Sequence, residues 1–144
     1  MADTLEIEIV TPERLVVRDT AEEVQIPGKN GYLGILPGHA PLISELGVGQ
    51  ISYRKGSVIH YLAVAWGFAE VLPGKLTILA ETAELAAEID VPGAKRAREQ
   101  AQTRLTAAVS EQESETARNE VAVAESRLLA ASSAGLADMA NLVP

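Results

Sequence analysis

Glycine and proline are distributed so unevenly along this chain of 144 residues that two kinds of structure are expected in it. Nine of the eleven glycines, five of the seven prolines and all five aromatic residues fall within residues 1–74. Residues 94–134, by contrast, contain neither Gly nor Pro and are rich in Ala, Glu, Arg and Gln. Because Gly and Pro mark turns and disfavour helix interiors, the first part is expected to form short strands and the second part helices.

Alternating apolar residues support the interpretation of the first part. Leu5, Ile7 and Ile9 alternate with Glu6 and Glu8, which is the period of a half-buried strand. Similar short runs, several of them separated by turn sequences, are Leu15–Arg18, Val24–Ile26, Tyr32–Leu36, Gln50–Tyr53, Val58–Ala63, Phe68–Leu72 and Leu76–Ala80. Many short strands with frequent turns predict an all-β sandwich or flattened barrel over residues 1–88.

Small apolar residues recur at helical spacing in the second part. Asp90 is a candidate N-cap, and Pro92 falls in the first turn of the helix. A polar run at Ser110–Ser114 is expected to break the helix into an antiparallel hairpin over residues 89–144. The two seams are Ala94, Ala97, Ala101, Leu105 and Ala108, and Ala117, Val121, Ala124, Leu128 and Ala131. Alanine seams bury little area, so the hairpin is expected to be marginal and able to open.

Composition excludes several classes of function. The net charge is −8 and the pI is near 4.7, which disfavours nucleic acid and anionic membranes as partners. The absence of cysteine excludes disulfides, thiol nucleophiles and cysteine-ligated zinc. The longest uncharged apolar stretch, Tyr61–Ala69, is much shorter than the ~20 residues of a spanning helix. Any membrane contact is therefore expected to go through a partner.

Candidate catalytic groups are few. His39 lies in a stiff turn, His60 lies in an apolar strand, and no nucleophile-elbow motif surrounds a serine. Glu6 and Glu8 share a strand face, which is more typical of a solvated surface than of a carboxylate pair. No metal-binding spacing or phosphate loop is present, and Gly47-Val48-Gly49 indicates nothing specific. The sequence predicts a protein that is not an enzyme, and an esterase-like site at His39 stays as a remote alternative.

One ordered set of motifs is specific. The stretch from Gly31 to Leu42, GYLGILPGHAPL, resembles the signature loop of the ε subunit family of F-type ATP synthases. Flanking segments resemble the same family in the same order, namely Glu8–Glu13, Val24–Gly28, Gly67–Val71 and Ala83–Asp90. Together with the length and the order of strands and helices, the resemblance covers nearly the whole chain.

The resemblance implies a sandwich of about ten strands followed by a helical hairpin. It implies a non-catalytic place in the central rotor stalk, which couples the proton-driven rotation of the c-subunit ring to ATP synthesis. By position in the motif, Gly31, Tyr32 and Leu33 would meet the c-ring, and His39 would lie near the γ subunit. The hairpin would be a regulatory element able to inhibit ATP hydrolysis.

The resemblance also bears on ATP as a regulatory ligand, the one cofactor that this family suggests. Ile89, Asp90 and Ala94 match the family's nucleotide motif, but Gly93 stands in place of its arginine. Glu84 and Arg127 fall at further nucleotide contacts, while a companion basic position is Val123. Losing two cationic contacts predicts weak or absent ATP binding, since charge-assisted hydrogen bonds supply much of the affinity for phosphate.

The inhibitory contact of the family uses basic residues of the second helix against the catalytic head. Only Arg118 and Arg127 are available here, among several glutamates. An alternative function from another class is a sandwich adaptor whose hairpin binds an unrelated helical partner. The absence of a transit peptide before the first strand favours a bacterial protein over an organellar precursor. The resemblance then implies a peripheral place on the cytoplasmic face of the inner membrane.

Overall fold

The computed structural model describes residues 3–141, which form seven strands, one 3-10 turn and two helices. The elements are β1 (Leu5–Val10), β2 (Leu15–Ala21), β3 (Glu23–Gly28), β4 (Gly31–Ile35), β5 (Leu42–Lys55), β6 (Val58–Leu72), β7 (Lys75–Leu85), the 3-10 turn Ala86–Glu88, α1 (Val91–Ala107) and α2 (Glu111–Asn141).

The strands form one continuous sheet in the order β2-β1-β7-β6-β5-β3-β4, folded over into a sandwich. β1 and β7 pair in parallel, and every other pairing is antiparallel. Inward-facing apolar residues of all seven strands form the core, as the alternation in β1 predicts, with Leu5, Ile7 and Ile9 fully buried. The predicted sandwich class is confirmed.

The described strands number seven rather than the ten that the resemblance implied, because three of them are long. β5, β6 and β7 have 14, 15 and 11 residues. The predicted strands Val58–Ala63 and Phe68–Leu72 are two halves of β6. The halves meet at Trp66 and Gly67, whose backbone φ angles are +52° and +125°. Trp66 pairs with neither neighbouring strand, although the register is the same on both sides of it. We call this point the β6 kink.

The predicted helical hairpin is also confirmed. The Asp90 side chain accepts a hydrogen bond from the Gly93 N–H at 3.1 Å, which caps α1. Four residues of the predicted alanine seams are fully or almost fully buried, namely Ala94, Ala101, Ala117 and Ala124. Ion pairing between Arg104 and Glu120 joins the two helices across the seam.

The predicted break between the helices is present, and the polar run at 110–114 begins the second helix. α1 ends at Ala107 and α2 starts at Glu111, so only three residues connect them. The Ser110 hydroxyl accepts a hydrogen bond from the Glu113 N–H at 3.1 Å, and the Glu113 carboxylate accepts one from the Val109 N–H at 3.0 Å. Ser followed three residues later by Glu is the signature of a helix start, and these bonds satisfy N–H groups that the helix itself leaves free.

The hairpin rests on the sandwich mainly through α2. Ala130 is fully buried and packs in a small apolar cluster with Ala63 of β6 and Ile89, which follows the 3-10 turn. The cluster is separate from the main core. Because it consists largely of alanine, it buries little area, and the docking of the hairpin is weaker than the folding of the sandwich.

Candidate functional site

An exposed apolar surface lies on the outer face of the sandwich. The strand register places Leu15, Val10, Leu79 and Phe68 side by side across β2, β1, β7 and β6. Leu79 and Phe68 are 56% and 55% exposed, and Ile43 on neighbouring β5 is 72% exposed. We call these five residues the outer patch. A group of large, exposed apolar side chains side by side on one face of a sheet is typical of an interface.

Acidic side chains border the outer patch. Glu45 lies opposite Phe68 in the register, Glu70 lies opposite Ile43, and Glu81 follows Leu79 by two residues on the same strand face. All three residues are exposed. A partner that covers this surface therefore needs an apolar centre with basic residues at its edge.

His39 lies in the loop at one end of this face. The Gly38 N–H donates a hydrogen bond to the Pro73 carbonyl at 2.7 Å, which fixes the loop to the β6–β7 turn. The His39 Nδ1 atom is 2.7 Å from the Ala40 carbonyl oxygen, and the ring is half-buried. His60 is far from this loop in β6, where it stacks on Tyr53 with ring centroids 4.8 Å apart. Among the described contacts, neither histidine is hydrogen-bonded to a serine or to a carboxylate.

Gly31, Tyr32 and Leu33 begin the edge strand β4, after the turn that follows β3. Tyr32 is 54% exposed, yet its hydroxyl oxygen accepts a hydrogen bond from the Gln50 N–H at 3.1 Å. Gly49 allows this approach, because a Cβ atom there would lie 2.6 Å from the Tyr32 hydroxyl. The Gly47-Val48-Gly49 run, which indicated nothing by sequence, thus lets β5 pass closely under the β3–β4 hairpin.

Glu84 and Arg127 meet between β7 and α2. The Arg127 Nε and Nη2 atoms donate to the two carboxylate oxygens of Glu84 at 2.8 Å and 3.3 Å. Their side chains are only 33% and 26% exposed. A two-point arginine–carboxylate pair of this kind fixes direction as well as distance, so it orients α2 on the sheet.

A cavity of about 430 Å³ adjoins this pair, and we call it the junction cavity. Its second arginine, Arg14, is also bound to a carboxylate, with 3.0 Å between Nη2 and the Glu88 Oε2 atom. Glu13 and Glu81 add two further carboxylates to its walls. Four acids and two paired arginines give the junction cavity a negative charge, which is the wrong sign for a polyphosphate.

The other residues of the predicted nucleotide motif do not line the junction cavity. Ile89 packs under Ala130, Asp90 caps α1, and Ala94 is buried in the helix seam. Gly93 is matched to the cap, because a Cβ atom there would lie 2.3 Å from the Asp90 Oδ2 atom. Arg118 lies in the first half of α2, exposed and paired with Glu111 at 2.7 Å. Of the predicted set, the structure brings together only Glu84 and Arg127.

Trp66 is a feature that the sequence analysis missed. A φ of +52° is unusual for a bulky side chain and costs roughly 1–3 kcal/mol. Trp66 faces a cavity of about 620 Å³ whose other walls come from both helices, and we call this cavity the hairpin groove. No sequence signal distinguishes such a tryptophan from an ordinary strand residue, since the backbone angle depends on the tertiary structure.

A charged cluster joins β2 to β5. The Asp19 carboxylate accepts hydrogen bonds from the Lys55 ammonium at 2.6 Å and the Tyr53 hydroxyl at 3.4 Å. The bond from Lys55 holds the pKa of Asp19 below its usual value, while burial raises the pKa of Tyr53 to about 12. On the adjacent strand, the bond from Arg18 lowers the pKa of Glu8. These groups stabilise the sandwich and are not arranged for proton transfer.

Residues 3–141 contain neither a metal-binding cluster nor a helix that could span a membrane. No group of three or more His, Cys, Asp or Glu side chains in this part of the chain is arranged to hold a metal ion. Neither described helix combines the length and apolar character needed to cross a bilayer.

Comparison with known proteins identifies the architecture. Residues 4–86 match the family described as ATP synthase, Delta/Epsilon chain, beta-sandwich domain. The chain is 67% identical over 105 residues to the ATP synthase epsilon chain of Koribacter versatilis, covering 73% of this chain and 74% of that protein. The corresponding protein of Solibacter usitatus is 50% identical over 102 residues, which cover 71% and 76% of the two chains.

Solved structures share the fold at low sequence identity. A chain of the mitochondrial ATP synthase of Euglena gracilis, in an assembly of OSCP, F1 and c-ring, aligns with a TM-score of 0.79 and 18% identity over 90% of this chain and 82% of that one. A chain of the central stalk and c-ring of the Tetrahymena thermophila enzyme aligns with a TM-score of 0.60 and 12% identity, covering 88% and 96%.

A sandwich with a docked hairpin, an apolar outer face and this family match define a non-catalytic accessory subunit of ATP synthase. Such a subunit is a peripheral part of a membrane complex. The chain belongs to the ATP synthase epsilon chain family. The resemblance carried by Gly31–Leu42 and its flanking motifs is thereby confirmed, and the unrelated adaptor is not favoured.

Proposed function

We propose that this subunit works in the central stalk, coupling rotation of the c-subunit ring to the catalytic head, and that it binds the γ subunit through the outer patch. The outer patch carries this proposal. Covering it stabilises a complex by about 25 cal/mol for each Å² of apolar surface removed from water. The acidic border selects a partner with basic residues around an apolar contact.

The His39 loop extends the proposed γ interface. Its bond to the Pro73 carbonyl keeps it beside Leu72, at the same end of β6 as Ile43 of β5. A loop fixed in this way loses little conformational entropy on binding, which favours its use as a contact.

Gly31, Tyr32 and Leu33 are the proposed contact with the c-ring. The Tyr32 ring is exposed, but its hydroxyl is fixed to β5 by the Gln50 N–H. A rigid aromatic side chain at the end of a hairpin suits a contact that must transmit force, because it yields little when loaded.

We propose a division of labour at residues 88 and 89, with the sandwich as the docking module and residues 89–144 as the regulatory hairpin. In the folded hairpin, Arg118 is bound to Glu111 and Arg127 to Glu84. Use of Arg127 in the inhibition of ATP hydrolysis therefore requires the hairpin to leave the sheet and exchange Glu84 for a carboxylate of the catalytic head, one of the proposed partners. Arg118, which is paired within α2, only has to exchange Glu111 for such a carboxylate. ATP is not proposed as a resident cofactor, because the arginines of the junction cavity are already paired.

We also propose a location on the cytoplasmic face of a bacterial inner membrane, which this role and the similarity to epsilon chains of Koribacter versatilis and Solibacter usitatus support. The peripheral position rests on the partners of the complex, since a net charge of −8 disfavours direct binding to anionic lipid.

Substitution of Phe68 tests the interface. Phe68→Asp places a charge at the centre of the outer patch, and we expect binding to purified γ subunit to weaken by roughly a hundredfold, as for loss of a central aromatic contact. Val58→Asp is the matched control, because Val58 is an exposed apolar residue at the far end of the same strand. Binding is measured by calorimetry with the full chain, and equal affinities for the two variants would contradict the proposed interface.

A further inference from the structure

The β6 kink lies between the hairpin and the outer patch. At Gly67, β6 approaches β7 so closely that a Cβ atom would lie 1.9 Å from the Leu79 carbonyl oxygen. Only glycine fits there, which explains the φ of +125° at that residue. Trp66 has no such reason for its positive φ, since a strand residue is free to remain in the β region.

The kink turns Trp66 toward the helices. Within the described part of the chain, Trp66 is the one strand residue that lines the hairpin groove. The groove walls include Ala97 and Gln100 of α1 and Val123 and Ala124 of α2. The unfavourable backbone conformation thus places the indole, which is partly buried, in the wall of a groove that both helices complete, and burial there offsets its cost.

The same kink adjoins the outer patch. Phe68 follows Trp66 by two residues, and Leu79 provides the carbonyl that Gly67 approaches. Phe68 and Leu79 are register partners at the centre of the outer patch. A change of backbone conformation at Trp66 therefore moves the residues that carry the proposed γ contact.

We propose that Trp66 clamps the hairpin on the sandwich and that the β6 kink couples hairpin docking to the shape of the outer patch. When the hairpin leaves the sandwich, the indole becomes exposed. Its burial then no longer offsets the free-energy cost of the left-handed backbone conformation at Trp66. The strand then relaxes around Gly67. The identity of the partner that senses this change rests on the proposed function, whereas the coupling itself is a property of the free chain.

Trp66→Gly tests the clamp. Glycine adopts a positive φ without strain, so the sandwich remains folded while the indole is lost. We expect amide hydrogen exchange in α1 and α2 of the free full-length chain to rise by roughly tenfold, with exchange in the core strands unchanged or slower. Trp66→Phe, which retains an aromatic ring, is expected to lie between the two. Equal hairpin exchange in Trp66→Gly and the parent chain would overturn the clamp.

Ala130→Asp tests the coupling from the other side. A buried charge in the small cluster with Ala63 and Ile89 displaces the hairpin without touching Trp66. We expect the amides from Gly67 to Phe68, and Ala80 opposite them, to exchange faster by roughly tenfold than in the control Ser132→Asp, an exposed site on the same helix. Unchanged exchange at the kink with a displaced hairpin would overturn the coupling. Both experiments use the free chain. A failure to bind the γ subunit would therefore count against the proposed function and would not affect the test of the coupling.

Discussion

Asp19 has more influence on the sandwich than its place at a strand edge suggests. Its carboxylate binds Lys55 and Tyr53 of β5 and also accepts the Thr20 N–H at 2.9 Å. The bonds from Lys55 and Tyr53 join the edge strand β2 to β5, which is not its neighbour in the sheet. One partly buried carboxylate thus links two strands that share no backbone pairing.

Removing that charge should give a loss of stability that depends on pH. The pKa of Asp19 is lowered in the folded protein, so its stabilisation is present above the usual value of 3.8 and is lost as the pH falls through the lower folded pKa. We expect Asp19→Asn to reduce the free energy of unfolding by about 1 kcal/mol at pH 7 and by less at about pH 3. Urea unfolding at both values checks this, with Glu6→Gln as the exposed control. A constant difference at both pH values would argue against the charge.

Among the secondary-structure elements, α1 depends most on a single residue. Asp90 is its N-cap, and the neighbouring Gly93 leaves room for the carboxylate. The alanine seams add little burial, so a cap is a large share of the stability of the hairpin. The helix therefore begins where the local sequence dictates rather than where packing forces it to begin.

Removing the cap is expected to loosen the hairpin without unfolding the sandwich. Asp90→Ala should destabilise α1 by about 1 kcal/mol, whereas Asp90→Asn, which retains a capping oxygen, should change little. Hydrogen exchange of the first two turns of α1 measures the effect. Similar exchange in the Ala and Asn variants would show that the cap does not hold the helix.

Local sequence patterns predict the strands and the helices. They do not predict the features that depend on tertiary geometry. The alternation in β1 and the alanine seams follow from periodicity alone, so the sandwich and the hairpin were predictable. The continuity of β6 was not, because Trp66-Gly67 reads as a turn between two strands. The polar run Ser110–Ser114 correctly predicts a break between the helices, and its Ser-x-x-Glu pattern also marks Glu111 as the start of α2. The Glu84–Arg127 ion pair was not predicted, because the family resemblance marks the two residues only as nucleotide contacts and 43 residues separate them along the chain.

At the scale of the whole molecule, the hairpin could be kept docked on the sandwich either by bound ATP or by contacts within the chain. The Glu84–Arg127 pair occupies the side chain that a phosphate would need, and the junction cavity is lined by more acids than bases. We therefore propose that docking of the hairpin is an intramolecular equilibrium, supported by an ion pair and a few alanine contacts rather than by a ligand.

Calorimetry with ATP tests that conclusion. We expect no binding to the full chain at about 1 mM nucleotide, and detectable binding in Glu84→Gln, because that change frees Arg127 and removes one negative charge from the junction cavity. The double variant Glu84→Gln/Arg127→Ala should lose it again. Binding of ATP to the unchanged chain at this concentration or below would contradict the prediction.

The parallel pairing of β1 with β7 has a consequence for how the chain is made. Ile7 pairs with Leu76 and Val10 with Leu79. The strand β1 therefore cannot form this pairing until β7, which is synthesised after the other strands, has been made. Until β7 has emerged, β1 keeps one edge open while the ribosome continues to add residues. The helices are translated only afterwards, and α2 contacts β5 and β6, which lie beyond β7 from β1. The newborn chain thus has a finished sandwich to receive its hairpin, and the order of synthesis favours docking as the last step.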